Sequence, residues 1–390
     1  MPRLAILSTH PIQYYAPLFR ALHEGPLDIH VFYGWEGMAR SEATDHGFGV
    51  KVQWDIPLLD GYSYTFLENR SKAPGTHHFN GIDSPEVIGQ IEQWRPDALL
   101  IFGWNYRSHL RALRHFHGRI PILFRGDSTM LDEVPGPRTW LRRAVLKWIY
   151  RYVDVALYVG KHNLRYFERH GLRDEQLAWA PHAVENERFM ADDEEREREA
   201  QSWRRELGIA DEELVVLFVG KLEDKKDPQL LLEAFREAGV DGVHLIFGGA
   251  GPLEHLLRSE ANEMPNVHFI GFQNQSRMPV VYRLGDVFIL PSRGPGETWG
   301  LAVNEAMACG RPVIVSDRVG CAPDLVIENE TGWAFPAGDQ SALSRTLRQA
   351  LAQNRRLTMM GEKARELIGA WSIGEEARRI EKAVGTAAGV

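Results

Sequence analysis

The chain has 390 residues, a formal charge of −8, and 44% hydrophobic residues. That length suits two or three domains and that composition a soluble globular core in each, while the acidic balance excludes a general nucleic-acid binder. Two cysteines, Cys309 and Cys321, give neither a disulfide framework nor a zinc site and fit a reducing cytoplasm.

In chain order, Leu4–Ser8 reads as a first strand rather than a signal peptide. Apolar runs follow at Ile29–Tyr33, Ala98–Phe102, Ile120–Phe124 and Val155–Val159. A second series comprises Leu214–Val219, His244–Phe247, Val267–Ile270, Val287–Leu290 and Val313–Ser316. Continuous apolar strands alternating with helices predict parallel sheets covered on both faces, and two series predict two doubly wound α/β domains. The boundary is expected near Pro181–Ala191, giving domains over 1–185 and 186–370. A last helix, around Glu375–Val384, falls in the remaining 371–390. The acidic run 192–199 reads as a solvated helix face, with Asp192 a candidate cap. No apolar run approaches the ~18 residues that a membrane span needs.

Between the series, Arg138–Tyr152 is a basic amphipathic helix in which Trp140, Val145, Trp148 and Tyr152 share a face. Two readings compete: contact with anionic lipid headgroups at the inner face of a membrane, or packing of the Trp face onto the sheet. Packing is the preferred reading.

The densest signal is Glu297-Thr298-Trp299-Gly300-Leu301 through Asn304-Glu305-Ala306-Met307-Ala308-Cys309-Gly310-Arg311-Pro312. A helix beginning near Gly300 or Leu301 and stopping at Gly310 puts one carboxylate before its start and another about one turn in. A helix start suits a phosphate, and carboxylates suit hydroxyl groups. Phosphate plus hydroxyls describes a nucleotide sugar. Lys221, after strand Leu214–Val219, and Lys226, before the helix Pro228–Ala238, lie where an open sheet gathers ligands and suit a diphosphate leaving group. Lys225 adjoins Lys226, so either lysine can fill that place.

These residues resemble the Glu-x7-Glu motif of retaining GT-B glycosyltransferases of family 4. Val219-Gly220-Lys221-Leu222 with Lys226 resembles that family's Gly-Arg-Leu…Lys element, with Lys where Arg is usual. Phe247-Gly248-Gly249-Ala250-Gly251-Pro252 resembles its Gly-x-Gly-Pro turn, and Ala180–Phe189 its interdomain linker. The resemblance covers residues 155–340 well and the first third less.

It implies a GT-B fold of two Rossmann-like domains facing across a cleft, with the C-terminal helix crossing back to the first. It implies a nucleotide-diphosphate-sugar donor, taken here as UDP-linked, and a hydroxyl acceptor on a glycan, glycolipid or polysaccharide precursor. In this reading Glu305 accepts hydrogen bonds from the ribose, and Glu297 from the transferred sugar. Backbone at Thr298, Trp299, Gly300 and Leu301 holds the distal phosphate, Gly300 being small so that the ligand can approach. Gly249 and Phe272 line the donor, and Lys221 and Lys226 stabilise the departing phosphate. No Asp-x-Asp occurs, so no metal and no cofactor is expected.

On the acceptor side, His10 and Gln13 follow the first strand, and Trp104 follows Ala98–Phe102. Arg125 stands where many relatives carry His. It cannot act as a base and is expected to bind a phosphate or carboxylate, with Asp127 an alternative polar contact. A sugar-nucleotide epimerase on the same scaffold, and a silent nucleotide-sugar-binding protein, are the rival readings.

Overall fold

The computed structural model describes residues 1–37, 43–45 and 50–389. Its strands are β1 (Arg3–Ser8), β2 (Asp28–Tyr33), β3 (Ala43–Asp45), β4 (Val50–Val52), β5 (Tyr64–Phe66), β6 (Ala98–Phe102), β7 (Ile122–Arg125), β8 (Val155–Tyr158) and β9 (Leu177–Trp179). They continue with β10 (Leu214–Val219), β11 (Val243–Gly248), β12 (Val267–Gly271), β13 (Val287–Leu290), β14 (Val313–Ser316) and β15 (Gly332–Phe335). The helices are α1 (Tyr15–Glu24), α2 (Val87–Trp94), α3 (Arg107–Phe116), α4 (Pro137–Tyr150), α5 (Lys161–Arg169), α6 (Asn186–Met190), α7 (Asp193–Glu206) and α8 (Pro228–Ala238). After them come α9 (Glu254–Glu260), α10 (Met278–Arg283), α11 (Leu301–Ala308), α12 (Ala322–Leu325), α13 (Gln340–Leu351), α14 (Asn354–Ile368) and α15 (Ile373–Ala388).

The chain forms two units. The described part of the first is 1–37, 56–182 and 373–389; that of the second is 43–45, 50–55 and 183–372. Each is built on a parallel sheet, ordered β5-β2-β1-β6-β7-β8-β9 in the first unit and β12-β11-β10-β13-β14-β15 in the second. The order reverses direction beside β1 in one and beside β10 in the other. Such switch points open a crevice at the carboxyl ends of the strands.

All ten apolar runs overlap strands; in all but the half-buried edge strand β12, Val, Ile, Leu and Phe covered on both faces make a continuous signal. The edge strands β5 and β9 and the outer strand β15 lack it. β5 and β9 are three-residue pieces that are only half-buried. In the first unit Leu99, Ile101, Phe124 and Ala156 pack with Leu146, Ile149 and Tyr150 of α4. In the second, Val216, Phe218, Leu245 and Phe247 pack under Leu231, Phe235, Leu343 and Leu347 of α8 and α13. α15 packs on α1 in the first unit.

Three expectations change. Asp192 sits at the start of α7 with φ +49 and makes no side-chain capping bond. The acidic run is not only solvated: Asp193 binds Arg283 and Arg365, and Glu197 binds Arg311. Those guanidiniums draw Asp193 down to about 2, Arg365 contributing most. Of the Trp face of α4, only Tyr152, just past the helix end, is buried in the core, with Trp148 edge-on to it at 5.4 Å; Trp140, Val145 and Trp148 are exposed. The helix itself is anchored by Leu146, Ile149 and Tyr150 instead, and Trp140 is 72% exposed.

Candidate active site

In the second unit, the loops after β10, β11 and β13 meet at the switch point. Gly220 donates to the Gly248 carbonyl at 2.9 Å and Leu222 to Ala250 at 3.0 Å, so the two glycine-rich turns are zipped together. Gly249 is needed for that closeness. Its φ is +130, and a Cβ there would lie 1.9 Å from the Gly220 carbonyl oxygen. Lys221 therefore leaves the sheet from a rigid double turn.

A 3-10 turn over Asp224–Lys226 carries the second lysine back toward the loop after β13. There Lys226 Nζ lies 2.5 Å from Glu297 Oε2. Ser292 Oγ donates to the same oxygen at 2.8 Å. Arg293 N donates to the Lys225 carbonyl at 3.0 Å, which ties the two loops by backbone. Glu297 is only 7% exposed. Burial pushes its carboxyl up, but Lys226, Lys225 and Ser292 together outweigh burial and hold it below the ordinary range. A covered carboxylate is thereby kept ionised at neutral pH.

The turn from Glu297 into α11 is fixed from the far side. Gly320 N donates to the Glu297 carbonyl at 3.1 Å and Cys321 N to the Trp299 carbonyl at 2.9 Å. Trp299 is buried, its indole N–H donating to Asn304 Oδ1 at 2.9 Å. Gly300 caps α11 with φ +95, and a Cβ there would meet Val319 Cγ1 at 2.8 Å. Its smallness thus answers to backbone conformation and to Val319. Thr298, Leu301 and Ala302 remain half-exposed, so the opening turn of α11 presents N–H groups that helix geometry leaves without intrahelical partners. Glu305, further along α11, is buried and accepts from the Tyr282 hydroxyl at 2.6 Å.

The structure thus joins Lys226 to Glu297, sets Thr298–Leu301 next to them, and packs Gly249 against the turn that bears Lys221. Phe272 follows β12, the outermost strand on that side, and is half-buried. Ser292 and Tyr282, which hold the two glutamates, carried no sequence signal: a serine in a loop and a tyrosine in a helix are common.

In the first unit, the loops after β1, β6 and β7 share one edge, because those strands are neighbours. His10 lies against Trp35 with ring centroids 5.7 Å apart, and its Nδ1 bonds Thr9 Oγ1 at 3.0 Å. Burial pulls its imidazole down to about 4. Gln13 is half-buried in the turn entering α1. Trp104 packs against the core. Arg125 does bind a carboxylate, as expected, but its place on the acceptor side needs correction. It is 2% exposed and already bound, to the Ala180 and Pro181 carbonyls at 2.9 Å each and to Glu376 of α15 at 2.6 Å. Its anion is internal, and the guanidinium is an anchor. Asp127 is half-buried and close enough to act on His182. His182 itself is a residue that sequence reasoning passed over. Its ring stacks toward Tyr15 at 6.3 Å, and burial, then Arg125, pull it down to about 4.

The chain is similar to known proteins. The family described as Glycosyl transferases group 1 matches residues 199–367. The GDP-mannose-dependent alpha-(1-6)-phosphatidylinositol monomannoside mannosyltransferase of Mycolicibacterium smegmatis is 29% identical over 62% of this chain and 63% of its own length. The D-inositol 3-phosphate glycosyltransferase of Corynebacterium glutamicum is 34% identical over 44% of this chain and 43% of its own. The chain thus spans less than two thirds of the length of these curated relatives. Among solved structures, Anabaena Alr3699/HepE in complex with UDP and glucose superposes over 99% of this chain and 100% of its own, with a TM-score of 0.73 at 16% identity. That likeness shows the fold, GT-B, in both units.

Proposed function

We propose that this chain moves a sugar from a UDP-linked donor to a hydroxyl acceptor with retention of configuration, a reading supported by the match of residues 199–367 to the glycosyl transferases group 1 model. The observation that carries the reading is the Lys226–Glu297 pair, held by Ser292 at the switch point beside the start of α11. An ionised carboxylate accepts hydrogen bonds only, which suits the hydroxyls of the donor sugar. An ammonium at the same point suits the diphosphate, with Lys221 and Lys225 on the adjoining turns. Glu305, oriented by Tyr282, suits the ribose hydroxyls. UDP takes its support from the Anabaena neighbour, and the GDP-mannose of the mycobacterial relative makes GDP the alternative.

In the proposed step, the bond from the anomeric carbon to the phosphate oxygen breaks as an acceptor oxygen forms its bond on the same face. The acceptor proton passes to the departing phosphate. Charge develops on that phosphate, where one well-placed donor group is worth about 10²–10³ in rate. Lysine charge does the work that Mg²⁺ does elsewhere, so the reaction is proposed to need no metal. The acceptor, a glycan, glycolipid or polysaccharide precursor, is assigned to the first unit's loops bearing His10, Gln13, Trp104 and Asp127.

Slow donor turnover to water, followed by NMR in EDTA before mutarotation, tests this. The expected sugar keeps the donor's anomeric configuration. An inverted sugar refutes the same-face step, and dependence on added Mg²⁺ refutes the lysine assignment.

A further inference from the structure

Among the described residues, ten large apolar side chains are exposed, and five of them lie between positions 134 and 148: Val134, Trp140, Leu141, Val145 and Trp148. Chance scatter does not concentrate half of them in one helix and the loop before it. Contiguous patches of this kind mark an interaction surface.

The pattern within α4 is specific. At 3.6 residues per turn, Trp140, Leu141, Ala144, Val145 and Trp148 form one stripe. Leu146, Ile149 and Tyr150 lie on the opposite side and anchor the helix in the core. The apolar stripe therefore points outward. Arg138 borders it on one flank and Lys147 on the other, and Arg151 follows at its C-terminal end. α4 holds four cations and no carboxylate, in a chain whose net charge is −8. Glu133, just before it, is engaged by Arg142 and Arg143. No carboxylate pairs with Arg138 or Lys147 among the described residues.

We propose that α4 is an interfacial helix that lies flat on an anionic lipid bilayer. The apolar stripe supplies burial at the boundary between headgroups and acyl chains. Tryptophan is well suited to that depth. The flanking cations meet the headgroup phosphates, and their long side chains let the stripe sink while the charges stay at the surface. At 14 residues the helix is about 21 Å long and cannot span a bilayer. The cations select against a neutral surface and against a basic protein partner. The proposal rests on α4 alone and stands or falls independently of sugar transfer.

The test is flotation of the full chain with vesicles of phosphatidylcholine, with and without phosphatidylglycerol. Tryptophan emission is recorded in parallel. Wild type floats with the anionic vesicles, its emission shifts to the blue, and added salt releases it. Trp140→Ser with Leu141→Ser lowers partitioning at least tenfold, and both sites are exposed enough to leave folding intact. Arg138→Glu with Lys147→Glu abolishes the preference for phosphatidylglycerol while keeping the tryptophans. Failure of wild type to float, equal flotation of the variants, or a Trp140-dependent dimer in light scattering overturns the proposal, the last by assigning the stripe to a second copy.

Discussion

Replacing Lys226 by Met removes the ammonium that lies 2.5 Å from Glu297 and leaves the carboxylate covered. Taking one partner from a buried pair costs about 3–5 kcal/mol. Lys225 and Ser292 remain as partial compensation, so about 3 kcal/mol is expected for Lys226→Met at pH 8. Glu297→Gln is milder. Its amide keeps the shape, and Lys226, 16% exposed, retains a route to water. About 1 kcal/mol is expected there. The double variant has no stranded charge and should lose about 1–2 kcal/mol, giving a coupling of about 2 kcal/mol.

The pH dependence adds a second signature. Burial is the largest single influence on Glu297 and Lys226 the main counterweight, so the folded-state pKa of Glu297 is expected to rise above its unfolded value in Lys226→Met. The folded state then takes up a proton more readily than the unfolded one, so the deficit of Lys226→Met shrinks as pH falls toward 5. Guanidinium unfolding of the four proteins at pH 8 and pH 5 measures both effects. Additive losses, or a deficit indifferent to pH, would show that Glu297 is not held ionised by Lys226.

Gly300→Ala should cost about 2–4 kcal/mol, since it combines φ +95 with a 2.8 Å contact to Val319 Cγ1; thermal unfolding checks it, and a neutral result would mean that the turn relaxes. Glu305→Ala should weaken nucleoside diphosphate binding by about 1–3 kcal/mol, whereas Glu297→Ala should mainly slow transfer; equal nucleotide affinity for wild type and Glu305→Ala in calorimetry would break that division. Acid should destabilise the fold early. Burial pulls His109 down to about 3, and His10 and His182 to about 4, from 6.5. Between these values the unfolded chain binds more protons, so stability falls as pH drops from about 7 toward 4, with up to about 1.4 kcal/mol per pH unit for each group. Flat unfolding free energy over that window would contradict the burial of these rings.

Much of this was legible in the sequence for identifiable reasons. Ala98–Phe102, Leu214–Val219, Val287–Leu290 and Val313–Ser316 are strands at those same limits, because burial on both faces leaves an unbroken apolar run. Helix Pro228–Ala238 was equally plain, with Pro at its first turn and Gly239 after its end. The Lys226–Glu297 meeting was legible only through motif spacing, since 71 residues separate the two and a parallel sheet brings them together through its strand order. The role of Arg125 was not legible. Its partners Ala180, Pro181 and Glu376 lie far along the chain, and an arginine at a strand's end looks the same whether it awaits a ligand or anchors a helix. For α4, the pattern was readable and its direction was not, because a helix with apolar residues on two sides does not declare which side the core takes.

The central claim is that the loops after β10 and β13 bind a nucleotide sugar through Lys226, Glu297 and Glu305. Thermal unfolding against UDP, GDP, ADP, dTDP and their sugars, with EDTA present, tests it most directly. A ligand at 100 times its dissociation constant stabilises a fold by about 2.7 kcal/mol. The account predicts a clear upward shift with one nucleotide, UDP foremost, that disappears in Lys226→Met and Glu305→Ala. No shift with any nucleotide, or an equal shift in those variants, would contradict it.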